Sequence, residues 1–162
     1  MGNITNPHTQ ATLDAIKFLA QDALPNFTVD TEIPSLPYVD KTPALIVTEY
    51  RQIVARTFSG LRGNREGMPN LYSFVFLEAG AKTQKNKTIS QIVKEFRTDL
   101  NAFIEAFKFD PTLQGTVMSA ADTIEVHYDR YGPYLRYFGI PYVGCLGIID
   151  IMELYRPNEG TA

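Results

Sequence analysis

One apolar stripe between two helix-boundary signals constrains this chain more than any other feature. Ile89, Ile92, Val93, Phe96, Leu100, Phe103, Ile104 and Phe107 recur three and four residues apart. That spacing puts them on one face of a helix. Thr88 and Gln91 stand in the S/T-x-x-E/Q arrangement just ahead of the stripe. In such a capping box the two side chains satisfy free backbone N–H groups reciprocally. Pro111 cannot continue a helix and ends the run. Lys94, Glu95, Asp99, Asn101 and Glu105 fall largely off the stripe. A face this wide needs a broad apolar partner, and it predicts a sheet beneath the helix.

The remaining chain supplies that sheet. Asn6 and Pro7 read as a helix start, and Leu13, Ile16, Leu19, Ala20, Ala23 and Leu24 give a second, narrower amphipathic helix that Pro25 stops. Residues 30–43 carry Pro34, Pro37 and Pro43 and read as extended, irregular chain. From Ala44 to Phe58 the sequence turns β-prone, with Leu45, Ile46, Val47, Ile53, Val54 and Phe58 in one bent strand or two short ones. Ser59–Asn70, holding Gly60, Gly63, Gly67 and Pro69, reads as a loop, and Leu71–Leu77 as a clear strand. Strand, loop and strand together predict a long β-hairpin. Gly80–Lys87 is a second polar loop.

Past Pro111, Ile124, Val126 and Tyr128 alternate with Glu125, His127 and Asp129, as in a half-exposed strand. An aromatic connection spans 131–142, and a last strand runs from about Val143 to Tyr155. No regular strand–helix–strand alternation exists. The expectation is therefore α+β: a single, mostly antiparallel sheet with two helices packed on one face and a long hairpin loop. Residues 1–156 form one domain in this reading, and 157–162 a frayed tail.

Composition narrows the function classes. A formal net charge of -3 over 162 residues argues against a dedicated nucleic-acid binder. The single cysteine, Cys145, excludes an intramolecular disulfide, and no Cys/His cluster has zinc spacing. No signal peptide is expected at Met1–Thr5, and no apolar run approaches the ~18 residues of a membrane span. The sequons at Asn3, Asn26 and Asn86 read as chance matches.

Legible chemistry is sparse. The glycines of 60–67 lack a following GK[S/T] and no dinucleotide fingerprint occurs. His127 and Asp129 share a strand face but need further convergent ligands for metal or acid–base work. Cys145, inside Gly144-Cys145-Leu146-Gly147, reads as buried and inert. G-x-S-x-G is missing, so no serine hydrolase is indicated. No catalytic residue, cofactor or metal is expected. Tyr128, Tyr131, Tyr134, Tyr137, Phe138 and Tyr142 crowd one short segment with only Arg130 and Arg136 between them. Tyrosine combines apolar area with a polar tip, which favours a protein interface over base or sugar stacking.

The long helix running into Phe109-Asp110-Pro111-Thr112-Leu113-Gln114-Gly115-Thr116-Val117 resembles the tail terminator (tail-completion) proteins of tailed bacteriophages. The element order along residues 7–155 is similar as well. The resemblance implies an α+β subunit of a ring, usually a hexamer, that caps the tail tube in the virion and docks the neck or connector on the head side. Assembly would take place in the host cytoplasm. The implied partners are further copies of the chain, the tube protein, the neck protein and, in a contractile tail, the sheath. DNA would only pass through the lumen, where acidic charge suits passage without sticking. The contact residues expected are Arg62, Asn64, Arg65 and Glu66 on the hairpin loop, Lys85 on the second loop, and Tyr131, Tyr134 and Tyr137. The Tyr-rich 131–142 connection is longer than in the smallest members of that family. Two other readings stand beside this one: a head-completion or other neck protein, and a small-ligand or carbohydrate-binding domain using the tyrosines.

Overall fold

A computed structural model describes residues 9–32, 42–51, 66–80, 87–129 and 132–155. Its elements run α1 (Thr9–Ala23), β1 (Thr28–Asp30), β2 (Ala44–Arg51), β3 (Glu66–Gly80), α2 (Ile89–Phe109), β4 (Ser119–His127), β5 (Tyr134–Tyr137) and β6 (Ile140–Tyr155). The six strands form one sheet ordered β1-β2-β3-β6-β4, with β5 paired to the start of β6. Only β1–β2 is parallel; β2–β3, β3–β6, β4–β6 and β5–β6 are antiparallel. The chain is thus α+β with a mostly antiparallel sheet, and both helices cover one face. Neither described helix is long and apolar enough to cross a membrane.

The α2 stripe does what its spacing requires. Ile92, Phe96, Leu100, Phe103 and Phe107 are buried against Phe74 and Phe76 of β3 and against Cys145, Ile149 and Ile151 of β6. Phe103 sits edge-on to both Phe74 (5.3 Å) and Phe107 (5.2 Å), the quadrupole-favoured arrangement. The capping box is present: Gln91 N donates to Thr88 Oγ1 at 3.2 Å, and Thr88 N donates to Gln91 Oε1 at 3.0 Å. Ile89 departs from the stripe. At 62% exposed it lies at the helix's first turn, ahead of the sheet contact.

β3 and β6 pair from Glu66↔Tyr155 to Gly80↔Tyr142 and form the spine. This corrects the loop boundary read from sequence. Glu66–Asn70 belongs to β3, although Gly67 and Pro69 are loop signals in the sequence. The last β2 pair is Arg51↔Leu71, so among the described residues β3 has a strand on only one side at Pro69, and the proline's missing N–H costs no ladder bond to it. β2 and β3 are the expected antiparallel pair. Ile53, Val54 and Phe58, the remaining loop, Pro34, Pro37, the Asn6-Pro7 start and the 157–162 tail lie outside the described residues.

Three further strand assignments depart from the sequence reading. β1 was not expected, being three residues directly after the helix stop. β5 occupies part of the supposed aromatic connection. β6 begins at Ile140, because Phe138 (φ 51) and Gly139 (φ 76) make a two-residue hairpin between Tyr137 and Ile140. Positive φ at both central positions matches the twist of the flanking strands.

The Asp110–Val117 turn is built by its own side chains. Asp110 Oδ1 accepts from Gln114 N (2.8 Å) and Thr112 Oγ1 from Gly115 N (3.1 Å), holding Leu113, Gln114 and Gly115 at φ 48, 56 and 82. Leu113 and Val117 point into the core. Pro111 O accepts from Ala120 N at 2.7 Å and leads the chain into β4.

Candidate functional site

Side chains alternate across the sheet, and the two faces differ. The helix-covered face holds the main core. On the other face Ala44, Ile46, Leu77, Leu135 and Tyr142 form a small second cluster at one end. Beyond it the strands present Thr48, Leu71, Ser73, Leu146, Ile148 and Asp150, which are exposed or half-buried. Leu146 is 41% exposed in the middle of the longest strand. Leu71, Thr123, Glu125, Ile148 and Asp150 line a shallow depression of about 260 Å³. An apolar stripe with a polar margin, left half-open on the broad face of a sheet, is the composition of an interaction surface.

The residues singled out from the sequence scatter. Arg62, Asn64, Arg65, Lys85 and Tyr131 lie outside the described residues. Glu66 opens β3, paired with Tyr155 at one end of the ribbon. Tyr134 and Tyr137 are both on β5, but they alternate: Tyr134 is exposed, while Tyr137 packs against the second cluster and edge-on to Phe138 (4.6 Å). Tyr142 is buried on that same face. Tyr128 lies on the helix side, edge-on to Phe96 at 6.2 Å. The described tyrosines therefore form no single stacking platform, since strand alternation sends neighbours in sequence to opposite faces.

His127 pairs with Glu125 at 3.2 Å, whereas the Asp129 carboxylate accepts from the Arg136 backbone N–H at 2.8 Å and fixes the entry to β5. Cys145 is fully buried, and burial pushes its thiol up to about 12, so it holds its proton at neutral pH. Among the described residues no group of three His, Cys, Asp or Glu side chains is placed to hold a metal ion.

Two buried carboxyl groups could not be placed from the sequence. Glu153 is fully buried near the end of β6. It accepts from Tyr72 Oη (2.6 Å) and Asn70 Nδ2 (2.8 Å) on β3 and from Thr12 Oγ1 (3.1 Å) on α1. Burial, then the bond to Glu153 and its charge, raises Tyr72 above the usual phenol range. This network ties the start of α1 to the sheet. Glu78 lies at the other end of β3, where the ladder slips between Leu77↔Gly144 and Ala79↔Val143. The slip is a bulge with Glu78 as the extra residue, a device that re-aims side chains. Glu78 is 6% exposed, with Asp99 of α2 within hydrogen-bond reach, and its Oε2 has no partner. Burial first, then the bond to and charge of Asp99, raises its carboxyl to about 9, so it is protonated at neutral pH. No sequence periodicity marks either glutamate: Glu153 sits in a strand otherwise read as apolar, and Glu78 follows directly on the strand read as Leu71–Leu77.

No protein-family model matches this chain, and no curated protein matches it in sequence.

Proposed function

We propose that the chain is a non-enzymatic, self-assembling virion subunit, a tail terminator whose ring caps the tail tube and joins it to the neck. The observation that carries the assembling part is the half-open sheet face, along which Leu146 is exposed and Leu71 and Ile148 are half-buried. A two-layer domain that leaves such a stripe uncovered gains by burying it against protein. The tail-terminator part rests on resemblance: two helices over an antiparallel sheet, the long helix ending in Asp110-Pro111-Thr112-Leu113-Gln114-Gly115, and a β2–β3 pair joined by a Gly- and Arg-rich segment. A closed ring joins unlike patches head to tail. The sheet face supplies one patch; Arg62, Asn64, Arg65 and Glu66 are proposed for contacts with neighbour or tube. The dispersal of the tyrosines weighs against the carbohydrate-binding alternative.

Native mass spectrometry and co-sedimentation with purified tail tubes test the reading. The expected result is a ring-sized species that binds tube ends. Leu146→Asp lowers that mass while circular dichroism stays unchanged. A strict monomer that ignores tube ends overturns the proposal. Binding on the head side of the connector instead assigns the chain to the neck.

A further inference from the structure

The cleft beside Glu78 has an unfilled requirement. About 530 Å³ in volume, it opens where the α1–β1 connection, the start of β2, the β3 bulge and the first turns of α2 meet. Its charged lining is Glu78, Glu95 and Asp99 against Lys87 and Lys94; the α1–β1 connection and Pro43 contribute no charge. Lys87 is committed to Glu95, with Nζ 2.9 and 3.0 Å from the two carboxylate oxygens. Lys94 lines the same cleft, and Asp99 lies within hydrogen-bond reach of Glu78 on its wall. Glu78 Oε2, an acceptor on a side chain more than nine-tenths buried, has no donor among the described residues. An acceptor in that position ordinarily has a partner.

We propose that this cleft binds a cationic group of guanidinium or alkylammonium chemistry, whose N–H donors bond Glu78 Oε2 and whose charge is neutralised by the Glu78–Asp99 pair. A metal ion fits less well, since no three ligating side chains converge among the described residues. An organic cation supplies directional donors instead, and two adjacent carboxyls suit a planar guanidinium fork. Lys87 shows how an ammonium fares at the rim. Its bond to Glu95, opposed by desolvation and aided by the charges of Glu95, Glu78 and Asp99, holds it above the usual lysine range. On binding, Glu78 gives up its proton to solvent and faces the cation as a carboxylate. The site stands apart from the assembly reading: it lies on the helix side of the sheet, opposite Leu146.

Ethylguanidine and n-butylamine are the probes, with n-butanol as the neutral control, at fixed ionic strength. Amide shifts of Ala79 and Thr98 should saturate in the millimolar range with both cations and not with butanol. Affinity should rise with pH up to about tenfold per unit below pH 9 and then level off. Calorimetry in two buffers should show about one proton released per cation at neutral pH. Glu78→Gln keeps the shape and the donor toward Asp99, and Asp99→Asn removes the neighbouring charge. Each should weaken binding at least about tenfold, and Glu78→Gln should abolish the pH dependence. Native mass spectrometry separates the sources of the cation. If a second copy supplies it, ethylguanidine splits the assembly and Glu78→Gln mimics that effect. If a free molecule does, the assembly keeps its size and gains the mass of bound ethylguanidine. No saturable shift in the folded wild type, or unchanged affinity in a folded Glu78→Gln, overturns the proposal.

Discussion

Glu78 and Glu153 are the same residue type, on the same helix-covered face, near opposite ends of the β3–β6 ribbon, and both are buried. Glu153 meets three donors, two from one strand and one from a helix. Glu78 meets other carboxyls, and one of its oxygens meets nothing. Burial is therefore not what separates them; satisfaction is. A buried carboxylate with its acceptors filled works as a clamp, whereas one crowded by like charge keeps its proton and stays receptive to a donor.

The contrast can be broken most severely at Glu153. Glu153→Ala strands the side-chain donors of Tyr72, Asn70 and Thr12, and urea unfolding should show a loss of roughly 3–5 kcal/mol. A loss under 1 kcal/mol would mean that water or neighbouring groups replace the carboxylate, and the clamp description fails. Tyr72→Phe removes one donor and keeps the ring; the same measurement should give roughly 1.5–3 kcal/mol.

Glu78 should behave oppositely, with an effect that depends on pH. Its carboxyl sits at about 9 in the folded chain against an ordinary 4.5. The folded state thus binds the proton more tightly. The stability this contributes is fully present below 4.5 and is lost as pH rises through about 9. Wild-type stability should decline between those limits by on the order of 1 kcal/mol per pH unit, and Glu78→Gln should flatten that slope. At pH 5, where both side chains are neutral and alike in shape, the two proteins should agree within about 0.5 kcal/mol, the smallest effect expected. Urea midpoints from pH 5 to 9 check both statements. A wild-type curve as flat as the variant's would put Glu78 in the same class as Glu153.

Elements governed by local rules were legible in the sequence. The α2 stripe, its Thr88–Gln91 cap and the Pro111 stop needed only helical periodicity and backbone chemistry. The alternation through Ile124 and Val126 announced the second half of β4. Gly67 and Pro69 are turn formers in isolation and hide the β3 start; pairing with β6, with no second described strand opposite Pro69, makes them acceptable. β5 was missed because its turn uses Phe138 at positive φ, where asparagine or glycine is the usual signal.

The sequence by itself determined the class of the molecule: two amphipathic helices, β-rich segments between and after them, one cysteine without a second to pair with, and a helix that ends at Asp110-Pro111. Tertiary structure alone decided which carboxyls matter. The Glu153 donors come from residues 12, 70 and 72, and the Glu78 neighbour from residue 99. Such contacts depend on sheet register and on where each helix lies across it. Loss of the bulge at Glu78 or a slip of one residue in β6 would redirect them without altering any local pattern.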